Sequence, residues 1–149
     1  NKGGDFAEIA QNGRIALERM SRELRQAEEI VSTLSQNQSS PSGEIQFLDG
    51  HDLLTLNYIR YYIAAAALHR EVAYYSLTEA PTVHAHYQDL NPDGSPAAKT
   101  VTEDEIIAEY ITAFQLWESP TRLVNISISL TRDGTANTFT TALYGRNLH

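Results

Sequence analysis

The chain of 149 residues contains no cysteine, which excludes disulfide bonds, thiolate metal sites and cysteine nucleophiles. It also lacks any run of 18 apolar residues, so no segment of it is expected to span a membrane as a helix. Basic residues are few: 11 lysines and arginines stand against 19 acidic residues, for a formal net charge of -8. We expect no binding to nucleic acid, because a phosphate backbone requires a basic surface.

Motifs of catalysis are missing as well. The chain has no G-x-S-x-G elbow, no H-E-x-x-H pair and no glycine-rich phosphate loop. Its acidic clusters, at residues 28–29 and 103–105, are typical of solvated surface faces. The sequence therefore predicts a protein that is not an enzyme and that acts through its surfaces.

What the chain does carry is one long amphipathic pattern at its start. Apolar residues recur there at spacings of three and four, which places them on one stripe of a helix. The stripe comprises Phe6, Ile9, Gly13, Leu17, Met20, Leu24, Ala27 and Val31. The pattern predicts a helix over residues 1–35, which a polar linker over residues 36–43 ends. The residues expected to pack this helix on the rest of the domain are Ile9, Leu17, Met20, Leu24 and Val31.

The remaining part, residues 44–149, is typical of short strands and turns. Four apolar residues alternate there with polar ones, as in a strand with one buried face: Val124, Ile126, Ile128 and Leu130. Asp133-Gly134 follows as a tight turn. Residues 54–62 and 68–72 predict a hairpin across four alanines, although an alanine run by itself favours a helix. Residues 76–104 have three prolines and little periodicity, and predict a long loop.

Together these segments predict one domain over residues 1–149, a length that suits a single core. The expected fold class is α+β, with a long N-terminal amphipathic helix packed on antiparallel β-sheets. At about 1.5 Å per residue, the predicted helix is longer than a domain of this size requires. One end of it is therefore expected to protrude.

The helix sequence resembles that of a known family. Residues 11–27, QNGRIALERMSRELRQA, are similar to the helix of minor type IV pilins and pseudopilins, above all J-type pseudopilins of type II secretion and PilW-like minor pilins. Short segments later in the chain resemble strands of the same families. These are residues 45–50, the L-x-R of residues 68–70, residues 110–116, and residues 139–148 with their Arg146-Asn147 pair.

The resemblance implies a pilin-like fold and a structural role without catalysis. Such a subunit assembles with partner minor pilins and the major pilin to prime or cap a type IV pilus or a type II secretion pseudopilus. The apolar first half of the family's helix is not part of this sequence. The resemblance implies that this half precedes Asn1 and anchors the periplasmic domain in the inner membrane, and later in a filament at the cell surface. An alternative role is an adhesion module at a filament tip, which binds a ligand or a cell surface.

The segment DLNPDG, residues 89–94, admits two interpretations. Its D-x-N-x-D-G pattern matches the opening of a calcium loop, with oxygen ligands from Asp89, Asn91 and Asp93. The glutamate that closes such a loop is absent, since Thr100 stands at that position. The second interpretation is a plain turn, because Asn-Pro and Asp-Gly are both strong turn formers. A weaker metal candidate is the pair His84 and His86, and no other cofactor is indicated.

Overall fold

The computed structural model describes residues 6–51 and 54–145, and strands dominate it. Within these ranges one helix, α1 (Phe6–Gln26), precedes nine strands. The strands are β1 (Glu29–Ile30), β2 (Glu44–Leu48), β3 (Tyr58–Ala64), β4 (Ala67–Leu77), β5 (Ala80–Ala85), β6 (Ala98–Ala108), β7 (Ile111–Glu118), β8 (Leu123–Arg132) and β9 (Thr135–Tyr144). β1 to β6 form one antiparallel sheet, and β7, β8 and β9 form a second in that order.

The apolar stripe of α1 faces both sheets. Ile9, Leu17, Met20 and Leu24 are buried, and they share one hydrophobic core with residues of both sheets. The helix lies close to the second sheet at Gly13, where an added Cβ would lie 2.8 Å from a methyl group of Leu130. Glycine therefore permits the close approach of α1 to β8. No described helix is both long enough and apolar enough to cross a membrane.

The helix is shorter than predicted. It ends at Gln26, not near residue 35, and the chain enters β1, where Ile30 pairs with Phe47. Val31, predicted to pack in the helical stripe, instead donates its backbone N–H to Gln46 O at 2.9 Å. The spacing of Leu24 and Val31 fits a helix, but strand pairing with β2 overrides it. β-branched residues at this point favour that pairing.

The predicted pilin-like α+β fold with a long helix is therefore wrong. Strands account for 53% and helix for 15% of the structure, which makes this a mainly β fold with a short helix. Strands exceed the prediction mainly over residues 76–104, which were expected to form a loop. β4 continues to Leu77, and both β5 and the first half of β6 lie within that stretch.

β6 carries no sequence signal because its side chains lack a buried face. The first nine of its eleven residues are exposed, so apolar and polar residues do not alternate along it. Its order comes from backbone pairing with β4, from Leu68↔Ala108 to Ser76↔Ala98. A strand held in this way shows no period of two in its hydrophobicity.

The hairpin across the four alanines is confirmed. β3 and β4 pair through Ala64↔Ala67, which leaves a two-residue turn of Ala65 and Ala66 with φ angles of 51° and 60°. Positive φ at both positions is the geometry of tight hairpin turns. The strand before the turn is shorter than predicted: β3 begins at Tyr58, and Leu54 is 99% exposed.

The alternating segment of the second sheet is also confirmed. Val124, Ile126, Ile128 and Leu130 lie on β8, and all four are fully buried. The turn at Asp133-Gly134, with φ angles of 52° and 79°, leads into β9. Backbone hydrogen bonds join the two sheets, from Ile111 N to Ala66 O and between Ser42 and Leu116.

Candidate interaction surfaces

The segment that matched a calcium loop forms a hydrogen-bonded turn. Asn91 N donates to Ser95 O at 2.8 Å, and Gly94, with a φ of 86°, donates to Asn91 O at 2.8 Å. Asp89 accepts a hydrogen bond from His86 N at 3.0 Å. Asp93 accepts two from Ser95, at 2.9 Å from the backbone N–H and 2.6 Å from the hydroxyl. These bonds from Ser95 lower the pKa of Asp93.

Asn91 links this turn to Thr78, which follows β4. The residue is 7% exposed, and its amide oxygen accepts hydrogen bonds from Thr78 N at 2.8 Å and Thr78 Oγ1 at 3.1 Å. Its amide nitrogen donates to Ser95 Oγ at 3.1 Å and to Pro96 O at 3.2 Å. Both lone pairs of the oxygen are thereby used. Within the described ranges, no three acidic or histidine side chains cluster closely enough to hold a metal ion. The arrangement is that of a satisfied turn.

One substitution separates the turn from a calcium site. Asn91→Asp is expected to lower the free energy of unfolding by about 1–3 kcal/mol, because a carboxylate cannot donate to Ser95 and Pro96. Urea unfolding of both proteins, in millimolar calcium and in chelator, measures the change. If calcium binds this turn, the added carboxylate would instead raise the calcium affinity, and the melting temperature in calcium would rise.

Asp93→Asn is the matched control in the same turn. Its side-chain oxygen still accepts from Ser95, so stability is expected to stay within about 0.5 kcal/mol of the parent protein. If calcium raised the melting temperature of the parent protein but not of Asp93→Asn, the interpretation as a plain turn would be wrong.

The two histidines proposed as a metal pair face different partners. His84 Nδ1 lies 3.1 Å from Leu56 O, and its ring stacks on Tyr74 at 4.1 Å between centroids. His86 follows the end of β5, and its Nε2 lies 3.0 Å from Glu29 Oε1. They therefore do not share a face. Each histidine joins this part of the chain to an earlier segment.

A charged cluster fastens α1 to the first sheet. Glu23 on α1 accepts hydrogen bonds from Arg70 on β4, at 2.6 Å from Nη2 and 3.1 Å from Nε, and a further one from the Tyr61 hydroxyl. Burial, and then the carboxylate of Glu23, raise the pKa of Tyr61 above its ordinary value. Burial opposes the charge on Arg70, but the bonds to Glu23 raise its pKa overall. The cluster is a part-buried structural ion pair, and Glu105 on β6 lies 3.8 Å from Nη1 of the same arginine.

A second cluster lies at the surface of β3, β4 and β6. Asp104 accepts a hydrogen bond from the Tyr62 hydroxyl, and its Oδ1 lies 2.9 Å from His69 Nδ1. The hydrogen bond from Tyr62 lowers the pKa of Asp104, and the same bond raises the pKa of Tyr62 to about 12. A histidine–carboxylate pair can serve a nucleophile, but in the described part of the chain no serine or threonine hydroxyl is bonded to His69. We find no catalytic arrangement there.

A groove of about 650 Å³ runs between α1 and β9. We call it the α1–β9 groove and define it by Arg14, Glu18, Arg22, Arg25 and residues 138–141. Arg14 stacks over the ring of Phe139 at 5.5 Å and donates to Gln11 at 3.1 Å. Among the described residues, Arg22 and Arg25 have no ion-pair or hydrogen-bond partner. The groove is thus locally basic in an acidic chain.

The groove was not predicted, although the helix that carries its arginines and a strand within residues 139–148 were expected. Their proximity depends on how α1 lies on the second sheet, which periodicity does not reveal. The one available signal is that the strand after Asp133-Gly134 contains no charged residue, which is unusual for an exposed edge.

No family model, curated protein or solved structure matches this chain.

Proposed function

We propose that the chain is a structural subunit of a filament, a minor pilin or pseudopilin. It assembles with partner minor pilins and the major pilin, and the assembly primes or caps a type IV pilus or a type II secretion pseudopilus. The proposal rests on the sequence of α1 and its exposed surface, not on fold class. It includes no catalytic role and no nucleic-acid partner.

One observation carries the proposal. The segment that resembles the family's helix, residues 11–27, has two distinct faces in this fold. Apart from Ile15, its small and apolar residues are buried: Gly13, Ala16, Leu17, Met20, Leu24 and Ala27. Its charged residues Arg14, Glu18, Arg22 and Arg25 lie at the surface. A helix docked on one face and open on the other suits a subunit whose helix also contacts its neighbours.

The proposed location follows from the same family resemblance. An apolar helical segment before Asn1 would hold the protein in the inner membrane, with the described domain in the periplasm. After assembly, the domain would lie in the filament or at the cell surface. Contact with the membrane would then pass through that segment.

The experiment is deletion of the gene in the source cells, followed by complementation. We expect the deletion to abolish filaments or type II secretion, and the intact gene to restore them. Complementation by Asp104→Asn, which alters the histidine–carboxylate pair, is expected to be complete. Normal filaments and secretion in the deletion strain would refute the proposal.

A second candidate is adhesion at a filament tip, and two exposed apolar side chains favour it. Val83 on β5 is 61% exposed and Leu90 in the neighbouring turn is 60% exposed. Both side chains are available for contact with a ligand or a cell surface. The double variant Val83→Ser/Leu90→Ser separates the two roles. Intact filaments with lost adhesion would support the tip module, whereas lost filaments would support the assembly role.

A further inference from the structure

We propose that the α1–β9 groove binds an extended, acidic segment of another protein, which adds to the second sheet as a strand beside β9. This inference rests on the groove alone. It holds whether or not the protein is part of a filament.

The edge of β9 is competent for strand addition. Within the described ranges β9 pairs with β8 alone, through ten consecutive residue pairs from Leu123↔Tyr144 to Arg132↔Thr135 without a register shift. Its sequence, TANTFTTALY, contains no charged residue and no proline. Soluble proteins normally protect an edge strand with charges, proline or a bulge, because its free N–H and C=O groups invite pairing. β9 has none of these three features, and at residues 138–141 the groove separates it from α1.

β6, in contrast, has an edge that is protected against pairing with another strand. β6 also has an edge outside its pairing with β4, but it carries Lys99 and the acidic residues 103–105. Its register with β4 shifts twice, between Leu68 and His69 and between Val72 and Ala73. Charges and irregular register both oppose pairing with another strand.

The groove meets β9 along its edge rather than over one face. Four consecutive residues, 138–141, line it. Side chains of consecutive strand residues point to opposite faces, so a cavity that contacts all four lies beside the strand. Four residues span about 14 Å, enough for a short added strand. Strand addition of this kind takes its affinity from main-chain hydrogen bonds and its specificity from the flanking side chains.

The side chains that flank the groove favour an acidic segment. Arg14, Arg22 and Arg25 against Glu18 give the groove an excess of positive charge, in a chain whose net charge is -8. Guanidinium groups bind carboxylates through paired, charge-assisted hydrogen bonds. Arg22 and Arg25 have no such partner among the described residues. An acidic segment therefore gains ion pairs that a neutral or basic segment does not.

A second copy of this chain is a poorer occupant than a different protein. Pairing of β9 with β9 across a two-fold axis would bring Arg22 and Arg25 of both copies to the same interface. The β6 edge of a second copy offers fewer free carboxylates, because Asp104 binds Tyr62 and His69 of its own chain and Glu105 binds Arg19 at 3.2 Å.

The test measures binding of synthetic peptides by fluorescence anisotropy. The probe is a labelled, end-capped octapeptide of alternating valine and glutamate, and its partner peptide has lysine in place of glutamate. We expect the acidic peptide to bind in the micromolar range, more weakly as salt rises, and the basic peptide not to bind. Arg22→Gln/Arg25→Gln is expected to weaken binding by at least about tenfold, which corresponds to about 1.4 kcal/mol. The matched control is Arg19→Gln, on the same helix but outside the groove, and it should leave affinity within about twofold.

Backbone pairing is tested without changing the protein. Two further acidic peptides carry N-methyl groups on alternate amides, one set for each edge of the strand. Strand addition requires that one of the two loses binding while the other retains it. Protection of β9 amides from hydrogen exchange upon binding is expected in parallel.

Three results would overturn the proposal. The first is equal binding of the acidic and basic peptides, and the second is retained binding by both N-methylated peptides. The third is self-association of the protein that is reversed by the acidic peptide, since this would show that a second copy occupies the groove.

Discussion

Leu24→Asp is expected to abolish cooperative folding. Leu24 is fully buried at the junction of α1 with both sheets. Loss of its packing costs about 2–5 kcal/mol, and an unpaired buried carboxylate adds several kcal/mol more. The sum is comparable to the total stability of a small domain, about 5–15 kcal/mol. Thermal unfolding followed by circular dichroism is the measurement.

Ile15→Asp provides the matched control, because it introduces the same charge at an exposed position of the same helix. Ile15 is 53% exposed, so its replacement is expected to change stability by less than about 1 kcal/mol. A cooperative transition in Leu24→Asp near the parent temperature would mean that this face of α1 does not pack as described.

Glu23→Ala is expected to destabilise the protein by about 1–3 kcal/mol, because Arg70 loses two hydrogen bonds and keeps only the more distant carboxylate of Glu105, 3.8 Å from its Nη1. Arg70 is only 9% exposed, and its guanidinium makes two hydrogen bonds to Glu23. The Tyr61 hydroxyl loses the same acceptor. Urea unfolding gives the change in free energy.

Two further variants distinguish pairing from general loss of charge. Glu18→Ala removes an exposed glutamate from the same helix, and its effect should stay within about 0.5 kcal/mol. The double variant Glu23→Leu/Arg70→Met is expected to recover most of the lost stability, since apolar residues of similar size often replace a buried ion pair well. A double variant no more stable than Glu23→Ala would show that Arg70 stabilises the fold independently of Glu23.

Local sequence signals predicted those elements whose side chains have one buried face. The alternation at residues 124–130 and the turn at Asp133-Gly134 appear in the structure as predicted. The end of α1 was missed because apolar spacing continues through Val31, while the backbone there pairs with β2. β6 was missed because nearly all its side chains are exposed and only its backbone is paired. Long-range pairing of this kind has no local signature.

The candidate sites also depend on long-range contacts that have no local sequence signal. The D-x-N-x-D-G pattern located a turn correctly, but it could not reveal that Asn91 faces inward to Thr78. The α1–β9 groove combines a helix near one end of the chain with a strand near the other. Sequence patterns described each part, and only the packing of α1 on the second sheet brought Arg22 and Arg25 beside an unprotected strand edge.

The proposed role as a filament subunit is tested most directly by N-terminal sequencing and intact-mass measurement of the native protein from its source cells. The proposal predicts a methylated N-terminal residue followed by about 20 apolar residues that lead into α1. A mature soluble chain that starts near Asn1 would contradict the anchor and the filament role. The groove would then be the surface of a secreted binding protein.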